Sequence, residues 1–83
     1  MLTERIIVDK IEVLENGCIQ VREATIVEKN GQELTRMFHR FVLHPGDDLS
    51  GRDQKVLDIA NAVWTQEVID TYQASLVDNE ILP

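Results

Sequence analysis

His44, Asp47 and Asp48 are the one cluster in the sequence whose residue types and spacing suit a metal ion, an imidazole followed closely by two carboxylates. The same aspartates follow Pro45-Gly46, where Asp is ordinary turn chemistry because its side chain bonds nearby backbone. The turn reading is preferred and no metal is expected. Cys18 and His39 have the types of a thiol–imidazole pair that could meet across neighbouring strands. Such a pair needs a third group to orient the base and a pocket for substrate, and no residue pattern here predicts either. The sequence has no Gly-rich phosphate loop, no paired-cysteine metal site and no nucleophile elbow. The expectation is a protein that is not an enzyme and takes no cofactor.

Two further sets suit binding rather than reaction. Arg36 and Arg40, with His39 between them, would make a basic stripe on one strand. Asp47, Asp48, Asp53 and Asp58, then Glu67 and Asp70, could imitate spaced phosphates and occupy a basic groove. The plainer readings are solvent-facing arginines on a half-buried strand and helix acids that keep a small domain soluble.

These residues hang on the stretch from Arg5 to His44. Asn16-Gly17 and Asn30-Gly31 interrupt alternating apolar runs, and Asn-Gly is the strongest short-range hairpin signal because both residues tolerate positive φ. Two such signals predict a three-stranded antiparallel β-meander, with strands at about 5–14, 18–28 and 33–43. In strand one, Ile7, Ile11 and Val13 share a face with Asp9, and Ile6, Val8 and Leu14 share the other with Lys10 and Glu12. Strand two loses its phase beyond Glu23, and a β-bulge near Arg22-Glu23 would keep one apolar face continuous.

The first turn sets the register. A two-residue loop would place Val13 opposite Gln20. A three-residue loop, Glu15-Asn16-Gly17, places Val13 opposite Ile19 and Ile11 opposite Val21. The second is preferred because it matches apolar with apolar, although it sets Asp9 against Glu23. In strand three, Leu34, Phe38 and Val42 are spaced as a helix would also allow, but the preceding Asn-Gly and the β-branched neighbours favour a strand.

Pro45-Gly46-Asp47-Asp48 ends the sheet. Ser50 reads as the N-cap of a helix at about 51–64, with Val56, Ile59, Ala60 and Val63 as its apolar stripe and Leu57 beside it. Thr65 caps a second helix at about 66–76 that buries Val68, Ile69, Tyr72 and Leu76. Trp64 is expected to be largely buried at the corner, on the face of Ile11, Val13, Ile19 and Val21. Residues 77–83 carry no helix signal and read as a tail, either disordered or docked on a neighbour. The fold class is therefore α+β: a three-stranded antiparallel meander followed by two short C-terminal helices in a single domain, 1–83.

Charge and length narrow the partners. The net charge is −7. Residues 1–44 carry seven acids and six bases, whereas residues 45–83 carry eight acids against Arg52 and Lys55 alone. That field disfavours nucleic acid, which is held by neutralising phosphates, and suits a basic protein partner. No apolar run approaches the roughly 20 residues of a membrane span. The N-terminus lacks the layout of a signal peptide, and the single cysteine is compatible with a reducing cytosol. A chain of 83 residues has a marginal core of its own, which oligomerisation would relieve. Strand one is an open edge with Ile6-Ile7-Val8 and no proline, so association through the sheet is expected with Ile6 and Val8 at the contact. Arg36, Arg40, Asp47 and Asp48 are the other candidate partner-binding residues.

The runs Asp9-Lys10-Ile11-Glu12-Val13-Leu14-Glu15-Asn16-Gly17, Ile19-Gln20-Val21-Arg22, His39-Arg40, Pro45-Gly46-Asp47-Asp48 and Val63-Trp64-Thr65 resemble a group of small proteins of tailed bacteriophages. Their genes lie among tail and virion-structure genes, and no activity or site residues are assigned to them. The resemblance spans about Leu2 to Tyr72. It implies a small tail or virion component or assembly helper, located in the virion or the host cytoplasm, whose partners are itself and phage tail proteins. An alternative from another class is an early inhibitor of host defence. It would bind a host protein, or sequester a nucleotide signal with Arg22, Arg36 and Arg40 lining a pocket between subunits.

Overall fold

The computed structural model describes the backbone of residues 1–81 and the side chains of residues 1–76. Strands β1 (Leu2–Val13), β2 (Ile19–Lys29) and β3 (Gln32–Leu43) form one antiparallel sheet in the order β1-β2-β3, and helices α1 (Gln54–Val63) and α2 (Gln66–Ile81) follow. The fold is α+β, a meander with two C-terminal helices.

The two Asn-Gly turns close differently. Asn30 and Gly31 both take positive φ, 51° and 82°, between the paired residues Lys29 and Gln32, which is a two-residue turn whose twist matches the strands. The first turn is the three-residue loop Glu15-Asn16-Gly17. Leu14 N–H donates to the Cys18 carbonyl at 2.8 Å, and Gly17 has φ +94°. Val13 pairs Ile19 and Ile11 pairs Val21, as apolar matching requires.

The bulge lies on β1 rather than β2. Val8 pairs Glu23 and Lys10 pairs Arg22, so Asp9 is the extra residue. This changes the faces of strand one: Ile6 and Val8 join Ile11 and Val13 instead of opposing them. It also removes the like-charge pairing of Asp9 with Glu23. From Ile19 to Val27 β2 stays regular against β3, so its loss of apolar phase is real. Ile19 and Val21 are buried on the helix side, Ala24 and Ile26 on the far side.

The core joins one end of the sheet to the helices. Val8, Ile19, Val21 and Leu43 pack with Val56 and Ala60, and Ile11, Phe41, Leu49, Ile59 and Trp64 rim the cluster. Asp53, not Ser50, caps α1, accepting from Lys55 N–H at 2.8 Å. Ser50 instead donates through both its N–H and its hydroxyl to Asp48. An aspartate two residues before each position wins, because its carboxylate is the stronger acceptor. Thr65 does cap α2, with Val68 N–H donating to its hydroxyl at 3.2 Å. Helix α2 continues to Ile81, past the expected end at 76, because no glycine or proline stops it before Pro83. Of the expected tail, Leu82 and Pro83 lie outside the described residues.

Trp64 is buried over most of its surface and packs against the core, as its place at the corner predicts. Its indole N–H donates to the Gly17 carbonyl at 2.7 Å, which fixes the helix junction to the first hairpin turn. The polar edge of the indole finds its partner there while the rest of the ring packs on the core.

Candidate interaction surface

Register sorts the far face of the sheet into cross-strand rows. Thr3, Glu28 and Glu33 form an acidic row, and Arg5, Ile26 and Arg36 the next. Ile7, Ala24 and Phe38 follow, then Lys10, Arg22 and Arg40, then Glu12, Gln20 and Val42. A second bulge makes this possible: Val27 pairs Thr35 but Glu28 pairs Glu33, leaving Leu34 extra on β3.

Some charges are compensated within the face. Arg5 bonds Glu28 at 2.9 Å, and Arg36 holds Glu33 through two nitrogens at 2.9 and 3.1 Å. The Arg36 guanidinium keeps the Glu33 carboxyl below the usual carboxylate range. Arg22 makes a bidentate pair with Asp9, both bonds 2.9 Å, and bonding to that guanidinium lowers the Asp9 carboxyl in the same way. As the extra residue of the bulge Asp9 has no strand partner of its own; continued regularly from the first turn, the register would set it opposite Glu23 instead.

The row Lys10–Arg22–Arg40 is different. Three cations stand directly opposite one another on adjacent strands, an arrangement that is destabilising in a sheet, and Asp9 neutralises only the middle one. Among the described residues neither Lys10 nor Arg40 has an ion-pair partner. Phe38 lies beside the row, 47% exposed, with the Arg22 guanidinium 4.4 Å from its ring centre and that of Arg40 at 6.0 Å. Lys10, Glu12, Gln20, Arg22, Arg40 and Val42 line an open-sided hollow of about 210 Å³ there.

The helix-side face has a second unusual region. Ile6, Thr25 and Met37 form a row two residues out from the core. Ile6 is 62% and Met37 58% exposed.

The residues singled out in the sequence fall as follows. Arg36 and Arg40 share the far face, but Arg36 is committed to Glu33 while Arg40 is free. His39 faces the other way, its ring 5.8 Å from that of Phe41. Ile6 is on the surface, whereas Val8 is 8% exposed and belongs to the chain's own core. Asp47 accepts from His44 N–H at 2.7 Å, and Asp48 accepts from Ser50, so both serve the loop. No group of metal-ligand residues converges among the described residues. Cys18 is buried beside Tyr72 rather than paired with His39, and burial first, then the neighbouring thiol, raises the Tyr72 hydroxyl's pKa. Lys10, Phe38 and Met37 are not legible as site residues, because the cross-strand rows they join are completed only through the two bulges, Asp9 in β1 and Leu34 in β3. No helix among the described residues is long and apolar enough to cross a membrane. No protein-family model, no curated protein and no solved structure matches the chain.

Proposed function

We propose that the chain is a non-enzymatic structural or interaction protein that self-associates through its sheet. The resemblance to small tailed-phage proteins extends the proposal to a tail or virion component or an assembly helper, acting in the virion or the host cytoplasm. One observation carries it: the half of the sheet beyond the helices leaves large apolar residues about half exposed or more on both faces, Ile6 and Met37 on the helix side and Phe38 on the far side, with Leu34 at the β3 bulge. Large apolar residues grouped on a sheet of this size mark a contact surface, because burying them against a partner recovers apolar area the chain cannot bury alone. The open β1 edge beside Ile6 adds unpaired backbone groups to the same region.

Purified protein and a mass-spectrometric inventory of virions test this. Oligomers in solution and the chain among virion proteins support it; a strict monomer absent from virions removes it. The row Lys10–Arg22–Arg40 favours a second reading, a phage inhibitor of host defence that captures an anionic nucleotide signal. The hollow of about 210 Å³ is smaller than the usual small-molecule site of roughly 300–1,000 Å³, so that reading needs a second subunit to complete the pocket. Expression time separates the two, since inhibitors appear early and virion parts late.

A further inference from the structure

We propose that the far face of the sheet, at Lys10, Arg40, Phe38 and Val42, docks the acidic helical half of a second copy, so that the chain assembles head to tail. This rests on the self-association proposed above and adds to the apolar contact at Ile6 and Met37 a second one on the opposite face of the sheet. The cross-strand row sets like charges against one another, and its outer members lack partners among the described residues. Such a row is costly in a lone chain and favourable against a negative surface. The chain carries that surface: residues 45–83 have eight acids and two bases. Asp58 and Asp70 are exposed there, each accepting only from a glutamine one helical turn earlier, Gln54 and Gln66.

Phe38 and Val42, 47% and 44% exposed, flank the cations and give the contact an apolar centre. A two-fold contact of this face with itself would bring the cationic rows together. The charge pattern therefore selects a heterologous contact, sheet to helices, which closes into a ring or continues as a filament.

Two variants test the proposal by sedimentation: Lys10→Glu/Arg40→Glu on the sheet and Asp58→Lys/Asp70→Lys on the helices, with circular dichroism confirming that each is folded. Each alone is expected to associate at least about tenfold more weakly than the wild type, a factor worth about 1.4 kcal/mol. Mixed at equal concentration, their reversed charges face each other again and association is expected to recover. Wild-type association is expected to weaken between low and high salt.

Failure of the mixture to recover, or a helix variant that associates like the wild type, overturns the head-to-tail pairing. A sheet variant that associates normally while Ile6→Lys/Met37→Lys is monomeric overturns it too, and leaves self-association through the sheet standing. Salt-independent wild-type association overturns it without recourse to any variant. A monomeric wild type overturns both proposals.

Discussion

Asp9 and Trp64 each hold a junction through one side chain. Asp9 occupies the bulge and neutralises Arg22, the middle cation of three. Its carboxyl is held below the ordinary 3.8 by that bond. A carboxyl with a lowered folded pKa contributes stability that is complete above the unfolded value and is lost as pH falls through the folded one. Asp9→Asn should therefore be less stable than the wild type at neutral pH. The difference should shrink as pH falls below 3.8, measured by urea unfolding across that range. An equal difference at every pH would assign the loss to packing instead. Trp64→Phe keeps most of the ring but leaves the Gly17 carbonyl without its donor. It should cost about 1–2 kcal/mol, the net worth of a hydrogen bond plus part of the desolvation of the acceptor. Trp64→Ala should cost about 3–5 kcal/mol, the usual range for an aromatic packed on the core.

At the scale of elements, the first hairpin turn is where sheet and helices meet. A Cβ on Gly17 would stand 2.7 Å from Val68 Cγ1 and 3.1 Å from Pro45 Cγ, at φ +94°. Gly31 has a similar φ, +82°, but nothing within 4 Å of the same position. Gly31→Ala should thus show backbone strain alone, about 1–3 kcal/mol. Gly17→Ala should cost more than Gly31→Ala and shift α2, read as a larger fall in thermal midpoint and a change in Trp64 emission. Equal effects would mean that α2 is not seated on the turn. The turn itself was legible in the sequence: Asn16-Gly17 and the matching of Ile11 with Val21 were enough to choose its register. The strand order, the two helices and the Thr65 cap were legible for the same reason, each resting on a local signal. The bulge was placed on the wrong strand because lost apolar phase in β2 has two causes. An extra residue is one, and burial on both faces is the other. Ala24 and Ile26, buried on the far side, are the second. The first turn sets Lys10 opposite Arg22, but the second turn alone would set Arg22 opposite His39; the cationic row is completed only because Leu34 is an extra residue in β3, which no local signal in the chain marks.

At the scale of the molecule, the helices cover one end of the sheet and leave the other bare. The Cα radius of gyration is 16.8 Å, against about 12 Å for a compact domain of this length. The longest extent is 55 Å. An elongated sheet with apolar residues on both faces is stable as a single copy only at the cost of keeping them in water, and association removes that cost. The chain is thus proposed to exist as an assembly joined through the uncovered half of its sheet. Sedimentation equilibrium of the wild type beside Ile6→Lys/Met37→Lys tests it most directly. Both residues are exposed and outside the core, so the variant should stay folded. The wild type is expected to be oligomeric and the variant shifted at least about tenfold towards monomer. A wild type that sediments as a monomer throughout the micromolar range, or a variant that assembles as well as the wild type, would contradict it.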